Sequence, residues 1–561
     1  ALDYQNSHFR VVQTTERPLC QCNKEKSESE LSSAEGIARD SDNSAEIDGT
    51  WYGLCAKDLE KWVNEMYKEV RSWKQKNLFD LPKCNESKEI LQLMSDLLTA
   101  YTNDSKNASF SLMFYMILPT IMLQKINKKA ALKQNINSLK RRLNLLKSGM
   151  LVALRDEMRI IRADLGKRKR GKRKENDIAR EFSKTMMKGR INPSLRMINN
   201  SEGGGPLEVT NKIKKMLEDK HPKAQTADNE AKVVHQDGVA APYLFEGITE
   251  NMVWMKALKT QGGAGPSGIN ADMMRDFLST KKFGEQATNL RTAIAGLARK
   301  LATQNCRNTE AYTARRLLAL EKLPEGIRPI GIGEVLNRII GKCVMHILKT
   351  TVRKAAGNLQ VCAGHLAGGE AAIHAMREIY EDENIDAVLL VDAKNAFNTI
   401  NREAMLHNIK MKCPSFSQYV ENTYGSPSEL FIEGDENSEV IMSEEGTTQG
   451  DPIAMAMYAL GLSVLQDTIS VEETNVKSVS YADDLIGAGN ISDLYQWWRN
   501  LEKTGKKFGY FVHEQKSCLV VKPEKEREAR EVFSETNLMI TTNGQTFFLF
   551  SLDFSTIDTN H

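Results

Sequence analysis

The chain has 561 residues, 41% of them hydrophobic and 27% charged, which is the composition of a soluble globular protein long enough for several domains. Its net charge of +3 conceals a strong local asymmetry. Residues 125–174 contain 18 Lys or Arg against 3 Asp or Glu. A basic segment this concentrated in a nearly neutral protein predicts an anionic partner, with nucleic acid the first candidate.

The nine cysteines argue against a zinc-finger protein. None forms a Cys-x-x-Cys pair, and the spacing of Cys20, Cys22, Cys55 and Cys84 is irregular. No signal peptide opens the chain. We therefore expect reduced thiols and an intracellular protein of the nucleus, the cytoplasm or both. Because the first residue is Ala, we also expect the chain to be either a fragment or the product of a gene model without its start.

The first part of the chain divides into two predicted segments. Residues 1–50 are polar and rich in Ser, Glu and Asp, which predicts disorder. Residues 51–124 carry apolar side chains at helical spacing and form a predicted helical region. Within it, the apolar run Phe110–Leu123 is about 14 residues long, short of the roughly 20 that cross a bilayer. A buried helix is therefore favoured over a membrane span.

Residues 125–174 form a predicted basic helical segment. Apolar residues recur at heptad spacing from Leu132 to Met150, and continue from Leu154 to Leu165 after an extra step of four. The pattern fits a coiled coil that would mediate self-association, a helical hairpin, or one amphipathic helix on a core. A cationic run closes the segment and is a candidate nucleic-acid anchor or nuclear-import signal, with a solvated linker as the alternative. The run consists of Lys167, Arg168, Lys169, Arg170, Lys172, Arg173 and Lys174.

Turn-rich stretches separate the next predicted elements. Residues 175–239 are predicted to hold a helix and a linker. Gln261–Gly268 is a Gly-rich loop before a helix at Ala271; such loops bind phosphate through backbone N–H groups, but this one lacks the ending of a P-loop.

Arg328 lies in a predicted strand pair ahead of a helix over Glu334–Leu348. An arginine there can grip a triphosphate bidentately or be an ordinary surface residue.

Three carboxylates lie where predicted strands end. Asp392 follows the continuous apolar run Ala387–Val391, a predicted buried strand, where it is costly unless it meets a cation or caps a helix. Asp483 and Asp484 occupy the turn of a hairpin predicted within residues 476–488. Neighbouring side chains of a strand point to opposite faces, so two acids that serve one site belong at a turn. An ordinary polar turn is the alternative.

The order of these elements resembles the motifs of reverse transcriptases, and most closely those of non-LTR (LINE-type) retrotransposons. The similarity covers roughly residues 240–525, and several matches in the family's order make chance a poor explanation. The matching stretches are Gly265–Gly268, Arg328–Ile330, Asp392 with Phe397, Gln449–Pro452, Tyr481–Asp484 and Gly509–Lys516.

The resemblance implies an α+β right-hand polymerase fold, with palm and fingers, an antiparallel sheet backed by helices, and a largely helical N-terminal region. The implied fingers are residues 240–355 and the implied palm is 356–525. The remaining residues, 526–561, would form an atypical, truncated thumb. The implied activity is RNA-directed DNA polymerisation, with an RNA template, a DNA primer and dNTPs as partners.

The resemblance also assigns roles to single residues. Asp392 and Asp483 would bind two Mg²⁺ ions, with Mn²⁺ as a substitute, and Asp484 would be a third carboxylate beside them. The Phe397 ring would exclude a ribose 2′-OH, and Lys516 would protonate pyrophosphate. The residues implied to contact the nucleotide are Arg328, Gln449 and Gly450.

Two departures from the family pattern keep a second function open. LINE-type sequences often carry an acid directly after the aromatic residue, whereas this chain has Asn398. The segment after Val521 shows no convincing thumb of the expected length. The sequence also shows no endonuclease, ribonuclease H or integrase pattern. The alternative function is nucleic-acid binding by a catalytically inactive, truncated relative. A coiled-coil scaffold with chance motifs is a third interpretation, but it leaves the apolar strand ending in Asp392 unexplained.

Overall fold

The computed structural model describes most of the chain. Its described residues are 50–51, 54–73, 76–105, 108–126, 130–166, 182–183, 186–187, 206–322, 326–433, 438–471, 475–543, 545–547 and 550–552. The segment predicted to be disordered, apart from residue 50, lies outside these ranges, as does the cationic run Lys167–Lys174. Both therefore stay predictions.

Helices dominate the N-terminal region, as predicted. The apolar run forms one helix whose side chains are buried almost throughout, around Pro119. None of the helices in the described part of the chain has the length and apolarity of a membrane span. The elements are β1 (Thr50–Trp51), β2 (Leu54–Cys55), α1 (Ala56–Arg71), α2 (Asn85–Thr102), α3 (Ala108–Leu123), α4 (Leu132–Lys147) and α5 (Leu151–Gly166).

The heptad stretch forms a helical hairpin. Helix α4 ends at Lys147, Gly149 turns the chain with a φ of +70°, and α5 begins at Leu151. This turn falls where the heptad pattern takes its extra step of four. The apolar stripe packs into the protein's own hydrophobic core. Of the three interpretations of the heptad pattern, the structure therefore shows the helical hairpin. The buried members of the stripe are Leu139, Leu143, Leu146, Leu154, Met158 and Ile161.

A second group of helices connects the N-terminal region to the sheets. Helix α10 packs along α2, so the two groups share one hydrophobic core. This group also contains α6, which lies in the stretch predicted to be helix and linker. The helices are α6 (Asn211–Asp219), α7 (Glu250–Leu258), α8 (Ala271–Phe277), α9 (Thr280–Phe283), α10 (Glu285–Thr303) and α11 (Glu310–Thr313).

The remaining elements alternate between strands and helices. The strands are β3 (Arg315–Glu321), β4 (Ile327–Gly333), β5 (Ala387–Val391), β6 (Ser428–Glu433), β7 (Ser438–Ser443), β8 (Lys477–Tyr481), β9 (Asp484–Gly489), β10 (Cys518–Val521), β11 (Met539–Thr541), β12 (Gln545–Phe547) and β13 (Phe550–Leu552). The helices are α12 (Val335–Ala356), α13 (Gly368–Tyr380), α14 (Ala396–Thr399), α15 (Arg402–Lys412), α16 (Pro414–Tyr424), α17 (Ala454–Val471), α18 (Ile491–Gly505) and α19 (Glu526–Val532).

Two sheets organise this part of the molecule. The four-stranded sheet has the order β4-β3-β6-β7, and only its β3–β6 pair is parallel. The five-stranded sheet has the order β11-β10-β5-β9-β8, with antiparallel pairs except β10–β11. All five residues of the central strand β5 are buried, which explains its continuous apolar sequence. Helices α13 and α18 back this sheet.

The predicted α+β class with largely antiparallel sheets and a helical N-terminal region is confirmed. Strands β5 and β10 have the predicted bounds. Helix α12 runs beyond its predicted end, since no helix breaker occurs before Gly357, whose φ is +76°. Strand β11 was not predicted; it lies in the segment interpreted as a truncated thumb and instead extends the five-stranded sheet.

Candidate active site

The three predicted carboxylates meet at one end of the five-stranded sheet. Asp392 directly follows β5, which lies between β10 and β9. Val391, the last residue of β5, pairs with Leu485 of β9. Asp484 precedes Leu485, and Asp483 occupies the turn before it. The strand register therefore places the carboxylate from β5 beside the two carboxylates of the β8–β9 hairpin.

The hairpin turn is held in an unusual conformation. It consists of Ala482 and Asp483, one residue earlier than predicted, because Tyr481 pairs with Asp484. Ala482 has a φ of +58°, which short hairpin turns require and which costs about 1–2 kcal/mol for a residue with a Cβ. The fully buried Gln360 fixes this turn by bonding to both backbone groups of Ala482. The Ala482 N–H donates to Oε1 of Gln360 at 3.1 Å, and Nε2 donates to the Ala482 carbonyl at 3.2 Å.

Neighbouring carboxylates help to raise the pKa of Asp483 and of Asp484. Burial first, and then repulsion from Asp483 and Asp392, raise the pKa of Asp484 to about 7. Burial is also the main cause that raises the pKa of Asp483, where Asp392 adds to the effect and Lys322 opposes it. Like charges held together in a partly buried site favour the binding of a cation.

The chemistry of this donor set fits Mg²⁺. Carboxylate oxygens are the hard ligands that this ion prefers, and a divalent cation between them would replace repulsion by attraction. In the described ranges no three metal-ligating side chains stand close enough to form a ready-made cluster. Mg²⁺ is commonly held by only one or two carboxylates, with water and substrate phosphates filling its remaining positions.

Aromatic side chains back the carboxylates. The Phe397 ring, on α14 just after Asp392, stacks on Tyr458 of α17 with 4.7 Å between ring centroids and 26° between planes. Tyr458 is fully buried. The Tyr510 hydroxyl donates to the Asp483 carbonyl at 3.1 Å. Burial, followed by the nearby Asp483, raises the pKa of both tyrosines, so both hydroxyls stay protonated.

Cationic side chains also lie near Asp392. Lys322 follows β3, near enough to Lys516 and Asp392 for both charges to act on it. Burial first, and then Lys516, lower the pKa of Lys322, whereas Asp392 raises it. Arg328 is exposed on β4 and contributes to the same lowering. The His513 N–H donates to the Asp392 carbonyl at 2.7 Å, which fixes the segment carrying Lys516. The structure thus brings predicted Arg328 and Lys516 towards predicted Asp392.

Gln449 and Gly450 lie against strand β4. The Gly331 N–H donates to the Gln449 carbonyl at 3.0 Å, and Gly450 has a φ of +102°, which favours glycine. Directly after them, Asp451 pairs with Arg315 of β3 at 2.6 Å. Both side chains are almost completely buried, with 3% and 2% exposure. This ion pair fixes the loop to the four-stranded sheet.

The Gly-rich loop serves the fold. The N–H and the hydroxyl of Ser267 each donate at 2.6 Å to Glu334, a buried carboxylate at the start of α12. A Cβ at Gly265 would come within 2.8 Å of the Glu334 backbone, so the loop needs glycine there. These donors are therefore engaged by the protein, and the phosphate-binding interpretation of the loop is not supported.

Much of the basic helical segment is neutralised inside the N-terminal region. Arg155 and Arg159 of α5 pair with glutamates of α1 at 2.7 and 3.1 Å. Arg142 of α4 is buried and pairs with Glu157 at 2.9 Å. These charges hold helices together. Within residues 125–174, the remaining candidate for a nucleic-acid anchor is the cationic run Lys167–Lys174, which lies outside the described residues.

Sequence reasoning missed four residues of the site. Gln360 gave no signal, because its partner is the backbone of a residue far along the chain. Tyr458 lies in an apolar helix, so its sequence context indicates only that it packs in the core. Lys322 lies outside every motif. Tyr510 could have been found, since it follows Gly509 within the matching stretch Gly509–Lys516.

A family model described as reverse transcriptase (RNA-dependent DNA polymerase) matches residues 320–534. The matched region is less than half of the chain and contains Asp392, Asp483 and Asp484. Residues 320–534 are thus similar to a reverse transcriptase domain, and the mixed α+β structure is similar to the palm-and-fingers fold that the resemblance implied. The non-LTR type stays a prediction.

A total of 417 chains of solved structures also match this chain. One is telomerase from Candida albicans, solved with the TWJ fragment of telomeric RNA. Its sequence identity is 10% and its TM-score 0.32, and the match covers 43% of this chain and 45% of that chain. The chain therefore spans less than half the length of that telomerase. No curated protein matches the chain.

Proposed function

We propose that the protein is an RNA-directed DNA polymerase of a retroelement, which adds deoxynucleotides to a primer 3′-OH. The observation that carries the proposal is the convergence of Asp392, Asp483 and Asp484 within a domain that matches the reverse transcriptase family. Phosphoryl transfer requires positioning and charge neutralisation rather than covalent catalysis. Three mutually repelling carboxylates are suited to hold the cations that neutralise this charge.

Asp392 and Asp483 would bind two Mg²⁺ ions, or Mn²⁺ in their place, with Asp484 as the third carboxylate. When bound, the ions would lower the pKa of the primer hydroxyl and neutralise the triphosphate and the departing pyrophosphate. The chain's own contribution is to hold the carboxylates in place beforehand. Gln360 and Tyr510 do this for the hairpin by fixing the backbone of its turn.

Phe397 would select the sugar of the incoming nucleotide. Its ring is braced from behind by Tyr458, so it can present a rigid face that excludes a ribose 2′-OH. Gln449 and Gly450 would line the nucleotide beside it, on a loop attached to β4. The resemblance supports these roles, and the stacking gives a physical reason for the rigidity.

Three cations would serve the phosphates. Arg328 and Lys322 come from the β3–β4 hairpin and would hold the triphosphate, Arg328 with its planar fork. Lys516 would donate a proton to the leaving pyrophosphate. The charges of Lys516 and Arg328 both lower the pKa of Lys322 and that of Asp392 raises it, so these cations lie near one site, which supports one shared anionic ligand.

The RNA template and the DNA primer are the proposed macromolecular partners. Their hybrid would be held through backbone and shape contacts rather than by reading bases. Lys167–Lys174 would anchor nucleic acid, and its contribution to binding would fall steeply as salt rises.

A second candidate is a catalytically inactive relative that binds nucleic acid. The observation that favours it is Asn398, which occupies the position where LINE-type sequences often carry an acid. Both candidates predict RNA binding. Only the first predicts nucleotide addition.

Primer extension on an RNA template with Mg²⁺ separates the two candidates. We expect the intact chain to extend the primer and Asp483→Ala to abolish extension. Asp467→Ala is the matched control, because Asp467 is an aspartate of the same domain that is 64% exposed in an ion pair with Lys412. It should keep full activity. Extension that is absent from a folded, RNA-binding intact chain would establish the second candidate.

A further inference from the structure

A segment upstream of the family match runs beside the candidate site. We call residues 206–241 the strap. It begins on the four-stranded sheet, where the Leu207 N–H donates to the Ala319 carbonyl at 2.9 Å. Its helix α6 then packs Leu217 and Ile213 onto that sheet. Beyond α6 the strap crosses the loop after β5 and then helix α15, so it links the two sheet regions.

Side-chain amides of the matched domain hold the strap in place. Each donates through Nδ2 to a backbone carbonyl of the strap at 2.8 to 3.0 Å. An aspartate has the same shape but, when ionised, can only accept hydrogen bonds, so these contacts require the amide. The donors are Asn395, Asn398, Asn401 and Asn408.

Two of these amides converge on one carbonyl, that of Lys220. Asn395 donates to it at 2.8 Å and Asn398 at 3.0 Å. Both belong to the turn that carries Phe397: Asn395 precedes α14 with a φ of +52°, and Asn398 directly follows the aromatic ring. Asn398 is 4% exposed and stands where the family resemblance led us to expect an acid. A carboxylate there would face the Lys220 carbonyl and repel it.

We infer that the strap is a positioning element for nucleotide selection. The Lys220 carbonyl, clamped by Asn395 and Asn398, fixes the turn that presents Phe397 to the nucleotide. The inference rests on the proposed function, because selection requires polymerisation. A loosened clamp lets the ring shift, so ribonucleotides are excluded less strictly and deoxynucleotides bind less tightly. The kcat for deoxynucleotides changes less than KM, because the carboxylates lie on β5 and the hairpin rather than on this turn.

Two variants remove the clamp in different ways. Asn395→Gly deletes the amide while glycine accepts the positive φ without strain. Asn398→Asp keeps the shape and abolishes the donor. Asn408→Asp is the matched control, because it removes the same kind of bond to the strap, at the Ala231 carbonyl and away from the turn. We expect both clamp variants to reduce the preference for dNTPs over rNTPs by about fivefold to tenfold, the effect of losing one such bond, and the control to leave it unchanged.

Hydrogen–deuterium exchange of peptides spanning residues 393–400 supplies a readout that does not depend on activity. We expect faster exchange there in Asn395→Gly than in the unaltered chain or in Asn408→Asp. If Asn398→Asp fails to fold, Asn395→Gly carries the test. Unchanged exchange overturns the inference, as does an unchanged nucleotide preference in an active enzyme or an equal change in the control. An unaltered chain that extends no primer overturns the proposed function instead, while exchange still tests the clamp.

Discussion

Buried carboxylates occur in two regions of the molecule and differ in what surrounds them. At the four-stranded sheet they meet donors. Asp451 pairs with Arg315 at 2.6 Å, and Glu334 accepts two bonds from Ser267. In the five-stranded sheet the carboxylates of the β8–β9 hairpin face one another and the carboxylate after β5. The first set joins elements of the fold, whereas the second is suited to bind a ligand.

A raised pKa does not by itself distinguish the two regions. The pKa values of Glu334 and Asp484 are both raised, and burial is the largest cause for each. For Glu334, hydrogen bonds from Ser267 and nearby cations oppose burial. For Asp484, the two neighbouring carboxylates add to it. The cause of the shift, rather than its presence, therefore identifies a candidate functional site.

Asp451→Asn should give the largest loss of stability. The substitution keeps the shape but leaves the Arg315 guanidinium buried without its counter-charge, which costs about 3–5 kcal/mol. Urea unfolding of the two proteins measures the difference. Asp467→Asn breaks an exposed pair and should cost less than about 1 kcal/mol. Similar losses in both variants would remove the contrast between structural and functional carboxylates.

Gln360→Leu should act on both stability and activity. Leucine leaves the N–H and the carbonyl of Ala482 buried without partners, which costs about 1–3 kcal/mol. The turn would then relax from its positive φ and move Asp483, so extension should need more Mg²⁺. A Mg²⁺ titration of primer extension measures this shift. Unchanged Mg²⁺ dependence in Gln360→Leu would show that the hydrogen bonds from Gln360 to Ala482 do not position the site.

Asp484→Asn should stabilise the metal-free protein at pH 8. The pKa of Asp484 is raised from 3.8 to about 7 in the fold, so the unfolded chain loses this proton first. Stability from this group is present below about pH 4 and is lost as pH rises to about 7. Asparagine carries no such charge, and we expect a gain of about 1–2 kcal/mol at pH 8 and little at pH 4. Thermal unfolding with EDTA at the two pH values measures it. Added Mg²⁺ should reverse the order, and a variant less stable at pH 8 would contradict the repulsion.

The parts of the site that were predictable are those encoded by neighbours in sequence. Asp392 could be placed because five apolar residues define the strand before it, and the aspartate pair because a turn must lie between two strand-forming runs. The hydrogen bonds of Gln360 with Ala482 and of Asn398 with Lys220 could not be predicted. Their partners are backbone groups distant along the chain, which leave no pattern in the sequence. The hairpin of α4 and α5 stayed one of three interpretations, because a heptad stripe is satisfied equally by a partner chain or by the chain's own core.

The smallest expected effect concerns cationic side chains. As with the carboxylates, those that pair within the fold differ from those that have no acid beside them in the sequence. Arg155 and Arg159 already pair with glutamates of α1, whereas Lys167–Lys174 contains seven cations and no acid. Changing both arginines to Gln should alter stability by less than about 1 kcal/mol and leave the salt dependence of RNA binding unchanged. Changing the run to Gln should make that dependence shallower, by about 0.7–0.9 in log–log slope for each phosphate that the protein no longer neutralises. RNA affinity measured across a range of salt concentrations checks both. An equal flattening in the double arginine variant would mean that the pairs between α5 and α1 open when nucleic acid binds, so that charges neutralised within the fold still contribute to binding.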